Sequence, residues 1–190
     1  MRKELITVLG VTVLWVSAMN VLAMAADVGG SILAAATLVV LLLTIVLLYR
    51  RMRRSVPEVP SACHAAAAIA LLVGAATLIG GVGHSVAVAS LTLRESQYGP
   101  LQILRLTTGA LLVFSGAMTL AMYPGIKAGR PGPARMGAAT GVLLWLYLVF
   151  TLPLPGTGGT VPAMLGIWSV YLLSLGGAVA ALKLHTARCA

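Results

Sequence analysis

Acidic residues are scarce in this chain. Asp and Glu number 4 among 190 residues, Lys and Arg number 13, and charged residues make up only 9%. Soluble globular domains carry about 25% charged residues, so the composition excludes an ordinary soluble domain. The shortage also leaves no intramembrane carboxylate pair for aspartyl proteolysis or for holding Mg²⁺ against a diphosphate. A proton-pumping relay of Asp, Glu or Lys is disfavoured for the same reason.

Motifs for nucleotide and acyl chemistry are missing as well. The chain has no glycine-rich phosphate-binding loop, and no serine lies in a Gly-x-Ser-x-Gly elbow. His84 and Ser85 are adjacent in sequence, but neighbours on a helix do not face each other, so they do not make a base and nucleophile pair. ATP hydrolysis and serine-type acyl transfer are therefore not expected of this chain.

Long apolar runs are what the chain has in abundance, with 59% hydrophobic residues. A helix crosses roughly 30 Å of hydrocarbon in about 20 residues, and six runs approach or exceed that length. They lack the in-out alternation of a membrane barrel, so only helices can satisfy their backbone amides in lipid. The sequence thus predicts an all-α bundle of six transmembrane helices, with no separate soluble domain. The runs are 5–25, 31–49, 65–92, 101–123, 138–154 and 162–183.

The basic residues orient this bundle. If the six runs are threaded back and forth, 11 of the 13 cations share one side, and only Arg94 and Arg105 lie at the other. By the positive-inside rule, this predicts a plasma-membrane protein with both termini in the cytoplasm. The cations flank apolar runs, so anionic lipid head groups are expected partners and nucleic acid is not. The shared side holds Arg2, Lys3, Arg50, Arg51, Arg53, Arg54, Lys127, Arg130, Arg135, Lys183 and Arg188.

Two further regions affect the predicted topology: the cytoplasmic connections and the start of the chain. The connections 50–64 and 124–137 are basic and proline-rich, which favours loops there. The start of the chain, with Arg2, Lys3 and the small residues 23–25, also resembles a secretory signal. Its apolar stretch is longer than a usual signal core, so we expect an uncleaved first helix; cleavage would leave five helices and the same cytoplasmic carboxyl terminus.

The third run is unusually long and rich in small residues. Its 28 residues would span roughly 42 Å as a helix, more than the hydrocarbon core. The helix is expected to tilt, or to bend or unwind at the glycine cluster 80–83. Ala66, Ala70 and Gly74 recur at four-residue spacing, a pattern that allows close helix approach and predicts a central position in the bundle.

Polar residues in the outer half of the bundle are the candidate ligand-binding residues. Charged and polar groups are costly within a membrane, so each is a functional candidate. If they converge, they form an outward-facing pocket for a small amphiphilic or zwitterionic solute. In the alternative interpretation, Arg105 extends to the interface and His84 bonds a neighbouring carbonyl. The candidates are Asn20, Asp27, His84, Arg94, Glu95 and Arg105.

Histidine and cysteine are too few to predict a cofactor. Bis-histidine haem needs ligands on facing helices, and His64 and His84 lie on one run, which leaves only His64 with His185. Cys63, His64, His185 and Cys189 could bind zinc or copper, but sequence neighbours on a helix point about 100° apart, so this signal is weak. Both cysteines fall on the cytoplasmic side, where thiols stay reduced, so no disulfide is expected. The cofactor is left unspecified.

Three functional classes fit these observations. The first is a solute-binding or transport component, and in size, helix count and cytoplasmic termini the chain resembles the small substrate-binding membrane subunits of modular vitamin transporters. That resemblance is one of topology and involves no motif. The second class is a structural or cofactor-supporting subunit of a larger membrane complex, with partner membrane subunits. The third is an intramembrane enzyme acting on a lipid or isoprenoid. The only residues that support this class are isolated His and Arg residues.

Overall fold

The computed structural model describes residues 30–95, 100–151 and 160–189, together with the single positions Ile6, Val8 and Gly10. Five helices make up the described ranges, and no strand occurs within them. The all-α prediction is confirmed for these residues, while most of the first apolar run, 5–25, lies outside them. The helices are α1 (Gly30–Ser55), α2 (Ser61–Glu95), α3 (Pro100–Lys127), α4 (Pro131–Thr151) and α5 (Thr160–Cys189).

Four of the helices are long and apolar enough to cross a membrane. Their outer surfaces carry large apolar side chains, such as Phe150 at 78% exposure and Leu173 at 77%. Lipid accepts such a surface, whereas contiguous apolar patches of this kind are rare on soluble monomers. The described part of the chain therefore has the make-up of a helical membrane protein. The candidate spans are Ser61–Ser90, Ile103–Lys127, Pro131–Phe150 and Met164–Ala187.

The connections 50–64 and 124–137 are much shorter than the loops expected from the sequence. Helix α1 continues to Ser55 and α2 begins at Ser61, while α3 runs through Pro124 to Lys127 and α4 begins at Pro131. The loop prediction was wrong because apolar runs mark only the part of a helix at hydrocarbon depth. Backbone hydrogen bonds extend the helix beyond that depth without apolar side chains.

A glycine turn joins α3 to α4. Gly129 has a φ of +68°, which a residue with a Cβ atom rarely adopts. The Arg130 amide donates to the Gly125 carbonyl at 2.9 Å, and the Gly129 amide donates to the Ile126 carbonyl at 3.0 Å. This pair of hydrogen bonds is the Schellman motif, which satisfies the last carbonyls of α3 and reverses the chain within residues 128–130.

Helix α2 is the central helix of the described bundle. It packs against α1, α3 and α5. Ala66 and Ala70 are completely buried, and Gly74 lies against Leu120 of α3. The predicted central position and the role of the small-residue stripe are confirmed. The helix is continuous through the glycine cluster 80–83, so the predicted unwinding does not occur there.

Helices α2 and α3 run antiparallel and approach at glycines of both. The backbone of Gly81 lies beside Leu112 and Val113, and the backbone of Gly116 lies beside Leu78. Any side chain on these two glycines would overlap the facing backbone. Without a hydrophobic driving force in lipid, such close approach is what gives two membrane helices their van der Waals contact. The contact positions the carboxyl-terminal end of α2 and the amino-terminal end of α3, which carry the candidate site.

Candidate functional site

The structure brings two of the candidate residues together. His84 on α2 lies with its Nε2 atom 3.1 Å from the backbone carbonyl oxygen of Arg105 on α3. A carbonyl can only accept, so Nε2 carries the hydrogen and donates, which leaves Nδ1 as an acceptor in the neutral ring. Both residues are half-buried. This contact is the one anticipated by the alternative interpretation of His84, and it also places the imidazole beside the first turns of α3.

A glycine on α3 makes room for this contact. An ideal Cβ atom on Gly109 would overlap the Ser85 hydroxyl and lie 3.3 Å from a carbon of the His84 ring. Gly109 is also one turn along α3 from Arg105, on the same side of the helix. The sequence Gly-His-Ser on α2 is thus held against a glycine of the facing helix. The imidazole position is fixed by backbone groups on one side and by close packing on the other.

The Arg105 guanidinium forms no ion pair or hydrogen bond with the part of the chain that the structure describes. Its residue lies within the candidate span that begins at Ile103. A guanidinium near the end of a membrane span offers five donors for a carboxylate or phosphate. The group is therefore chemically able to bind an anionic ligand at the end of the bundle.

The remaining candidates are placed only in part. Asn20 and Asp27 lie outside the described residues. Arg94 and Glu95 are in the last turn of α2, but their side chains are not among those described. Arg94 is ten residues beyond His84, or roughly 15 Å along the helix axis. A pocket that uses all of these groups must therefore extend from the half-buried His84 to the outer end of α2.

A second polar contact near His84 was not anticipated from the sequence. The hydroxyls of Thr108 on α3 and Tyr147 on α4 are 2.7 Å apart. Thr108 lies one turn from Arg105 on the same face of α3. Tyr147 is not among the sequence-predicted candidates, because its partner is on another helix and no local pattern identifies it. The end of the bundle that carries His84 thus has a polar layer that joins α2, α3 and α4.

No family model, curated protein or solved structure matches this chain. The chemistry of the site must therefore be inferred from its own residues.

The residues of the possible metal site are placed only in part, since the Cys189 side chain is not among those described. The Cys63 thiol lies 3.9 Å from the carbonyl of Ala178 on α5, and the His64 ring is completely buried. His185 is two turns beyond Ala178 on α5, and it lines a cleft of about 290 Å³ together with Glu58. Within the described residues, no group of three or more His, Cys, Asp or Glu side chains could hold a metal ion.

The His64 imidazole is one of several buried polar groups, with Thr77 and Trp168, that meet no partner in good hydrogen-bond geometry among the described residues. The backbone of Val56 and Pro60 lies near the ring, but neither ring nitrogen makes a well-formed hydrogen bond to it. The surrounding residues include the cations Arg53 and Lys127, which are close enough to act electrostatically on the ring. A buried polar group without a partner costs free energy, so this histidine does not stabilise the inner end of α2 through hydrogen bonds.

A smaller groove opens between α3 and α4 at the level of the membrane. Its volume is about 170 Å³. None of its lining residues is charged, and most are apolar. It is separate from the His84 contact, and no candidate from the sequence lies in it. The lining residues are Leu111, Phe114, Ser115, Thr140, Leu143, Leu144 and Tyr147.

Proposed function

We propose that this chain is an integral membrane solute-binding or transport component with an outward-facing polar pocket for a small amphiphilic solute. The observation that supports this function is the Arg105 guanidinium, which lies within a candidate membrane span and forms no ion pair or hydrogen bond with the described part of the chain, on the residue whose backbone His84 contacts. The Arg105 guanidinium supplies a charge for a carboxylate, and the His84 Nδ1 atom supplies an acceptor. Apolar side chains of α2 and α3 below them supply most of the buried surface.

The other candidates complete the pocket in this proposal. Arg94 and Glu95 form its outer rim at the end of α2, and Asn20 and Asp27 join them from the amino-terminal region. Acidic groups at the rim attract the cationic end of a zwitterion, while Arg105 binds the anionic end deeper in the bundle. Groups of opposite charge at different depths fix the orientation of the solute.

The topology follows from the cations. We propose six membrane passes in the plasma membrane, with both termini and the α3–α4 turn in the cytoplasm. Basic residues near the inner end, such as Arg53, Arg54 and Lys183, then face anionic lipid head groups. The exposed positions of these three side chains fit that role.

The pocket can be tested with three matched solutes. Leucine carries both charges and an apolar side chain, leucinol lacks the carboxylate, and 4-methylpentanoate lacks the ammonium group. We expect leucine to raise the thermal unfolding temperature of the purified protein in nanodiscs more than either analogue does, because a ligand that binds only the folded state stabilises it. Leucine and 4-methylpentanoate both carry a carboxylate. In the Arg105→Gln variant, they should no longer raise the unfolding temperature more than leucinol does.

Arg130→Gln is the matched control, since Arg130 is exposed in the inner turn. It removes the same charge and should leave the response to leucine unchanged. A response that is equal in Arg105→Gln and in the unaltered chain, or no response to any of the three solutes, would contradict the proposed pocket. Co-purification of partner chains in fixed stoichiometry, with no bound solute, would instead favour a subunit of a larger membrane complex.

A further inference from the structure

The groove between α3 and α4 lies in a regular packing register. The hydrogen bond between Thr108 and Tyr147 fixes which residues of the two antiparallel helices face each other. Seven residues, or two turns, further toward the inner end of each helix are Ser115 and Thr140. Both line the groove. Thr108 with Tyr147 and Ser115 with Thr140 are therefore equivalent layers of the same interface. The first pair is joined by a hydrogen bond, and the second lies beside the groove.

The hydroxyls at this second layer differ from most others in the bundle. Ser115 is 4% exposed and Thr140 is half-buried, yet neither hydroxyl forms a hydrogen bond within the part of the chain that the structure describes. Ser and Thr side chains in membrane helices commonly donate to the carbonyl three or four residues earlier. Nine others here do so: Thr44, Ser55, Ser90, Thr107, Thr108, Thr119, Ser169, Ser174 and Thr186.

The surroundings of the two hydroxyls restrict what can bind there. No charged residue lines the groove, and its edge is formed by Phe114 at 60% exposure and Leu143 at 70%. Both helices are candidate membrane spans, so this edge faces lipid. A charged solute would lose its hydration without any compensating partner. Only an uncharged, lipid-soluble molecule can enter from this side.

We infer that the groove is a binding site for an uncharged lipid-soluble molecule that presents a carbonyl-type oxygen to the Ser115 and Thr140 hydroxyls. Each hydroxyl has a free hydrogen to donate, and hydrocarbon chains offer no acceptor. An acceptor oxygen therefore distinguishes this ligand from an ordinary acyl chain. The volume of about 170 Å³ suits a single ring, since an engineered cavity of about 150 Å³ holds benzene.

Benzophenone tests this site because its ketone is both the acceptor and the photoreactive group; one of its two rings would occupy the groove and the other would remain in lipid. The full-length protein in phosphatidylcholine nanodiscs is irradiated with benzophenone, and the adducts are located by mass spectrometry. We expect adducts to concentrate on residues 111–115 and 140–147 rather than on lipid-facing positions such as Phe150 and Leu173. Acetophenone should compete for this labelling better than α-methylstyrene, which has nearly the same shape and no acceptor oxygen.

Variants separate hydrogen bonding from simple partition into the groove. The double variant Ser115→Ala with Thr140→Val should lower labelling at the groove roughly five- to tenfold relative to labelling at Phe150, because two neutral hydrogen bonds are lost. Thr107→Val is the control, since the exposed Thr107 hydroxyl already donates to the Ile103 carbonyl at 2.8 Å. It should leave the labelling unchanged. Ser115→Leu should abolish labelling by filling the groove.

Two results would overturn the site. One is adducts spread evenly over the lipid-facing residues, with α-methylstyrene competing as well as acetophenone. The other is groove labelling that persists in the double variant at the level of the unaltered chain. Thermal unfolding of each variant shows whether it is folded. If the double variant does not fold, the comparison of the two competitors on the unaltered chain still decides the question.

Discussion

The backbone of Gly116 on α3 lies so close to α2 that an ideal Cβ atom on Gly116 would be 2.5 Å from the backbone nitrogen of Leu78. Neither backbone can move without displacing its helix. The two helices therefore depend on the absence of a side chain at this position.

Replacing Gly116 by Ala should destabilise the protein by about 1–3 kcal/mol, because the added methyl group overpacks the contact between the helices. The change in unfolding free energy can be measured in detergent by titration with dodecyl sulfate. Gly176→Ala is the matched control: it is also mid-helix, but nothing lies within 4 Å of its ideal Cβ atom. Equal effects from the two substitutions would show that α2 and α3 do not make this close contact.

A second prediction concerns Gly137 and Tyr171. An ideal Cβ atom on Gly137 would be 2.7 Å from the Tyr171 hydroxyl oxygen, which has no hydrogen-bond partner among the described residues. Gly137→Ala should therefore destabilise the chain by about 1–3 kcal/mol through overpacking. Tyr171→Phe alone should cost little, about 1 kcal/mol at most, since the hydroxyl only approaches the Thr119 side chain and meets no partner in good hydrogen-bond geometry.

The double variant distinguishes this local clash from a general effect on α4. Removing the hydroxyl in the Gly137→Ala background should recover most of the lost stability, which gives a coupling free energy between neighbouring residues. Thermal unfolding of the four chains measures it. Additive effects of the two substitutions would mean that the tyrosine does not approach Gly137.

His64 provides a third prediction. Its ring is completely buried and neither nitrogen has a partner among the described residues, so an apolar side chain of similar size should be tolerated. We expect His64→Leu to keep or raise the unfolding temperature. His64→Lys should lower it strongly, because a buried cation would lie near Arg53 and Lys127. A large loss of stability in His64→Leu would indicate that the imidazole binds a group essential to the fold.

The proposed topology gives the fourth prediction. In a background with Cys63→Ala and Cys189→Ser, single cysteines are placed at Ala128 and at Gln97. A membrane-impermeant maleimide added to intact cells should label the Gln97→Cys chain and spare the Ala128→Cys chain until the cells are permeabilised. Labelling of both positions in intact cells, or the reverse order, would contradict an outward-facing pocket at His84 and Arg105.

The sequence predicted the all-helical class, four of the candidate membrane spans and the central place of α2, because each depends on local composition. Hydrophobic runs determine which segments enter lipid, and the stripe through Ala66, Ala70 and Gly74 indicates a helix that can be approached closely. These signals need no knowledge of which helix faces which.

Contacts between helices were harder to predict. Two of these contacts depend on the register between α3 and α4. They are the hydrogen bond between Thr108 and Tyr147 and the position of Ser115 opposite Thr140. That register is set by packing and by the turn between the helices, and a single sequence does not display it. The ends of α3 and α4 were missed for a related reason, since Pro124 and Pro131 were read as loop residues although both lie within helices.

The turn at Gly129 has a consequence for how the chain can vary. Only residues 128–130 separate α3 from α4, so one inserted residue would swing one helix about 100° around its axis relative to the other. Such an insertion would turn both Thr140 and Tyr147 away from the residues of α3 that lie opposite them. Length changes between α4 and α5 carry no such penalty for this pair. In descendants of this chain, the connection between α3 and α4 is therefore the one whose length must be inherited unchanged.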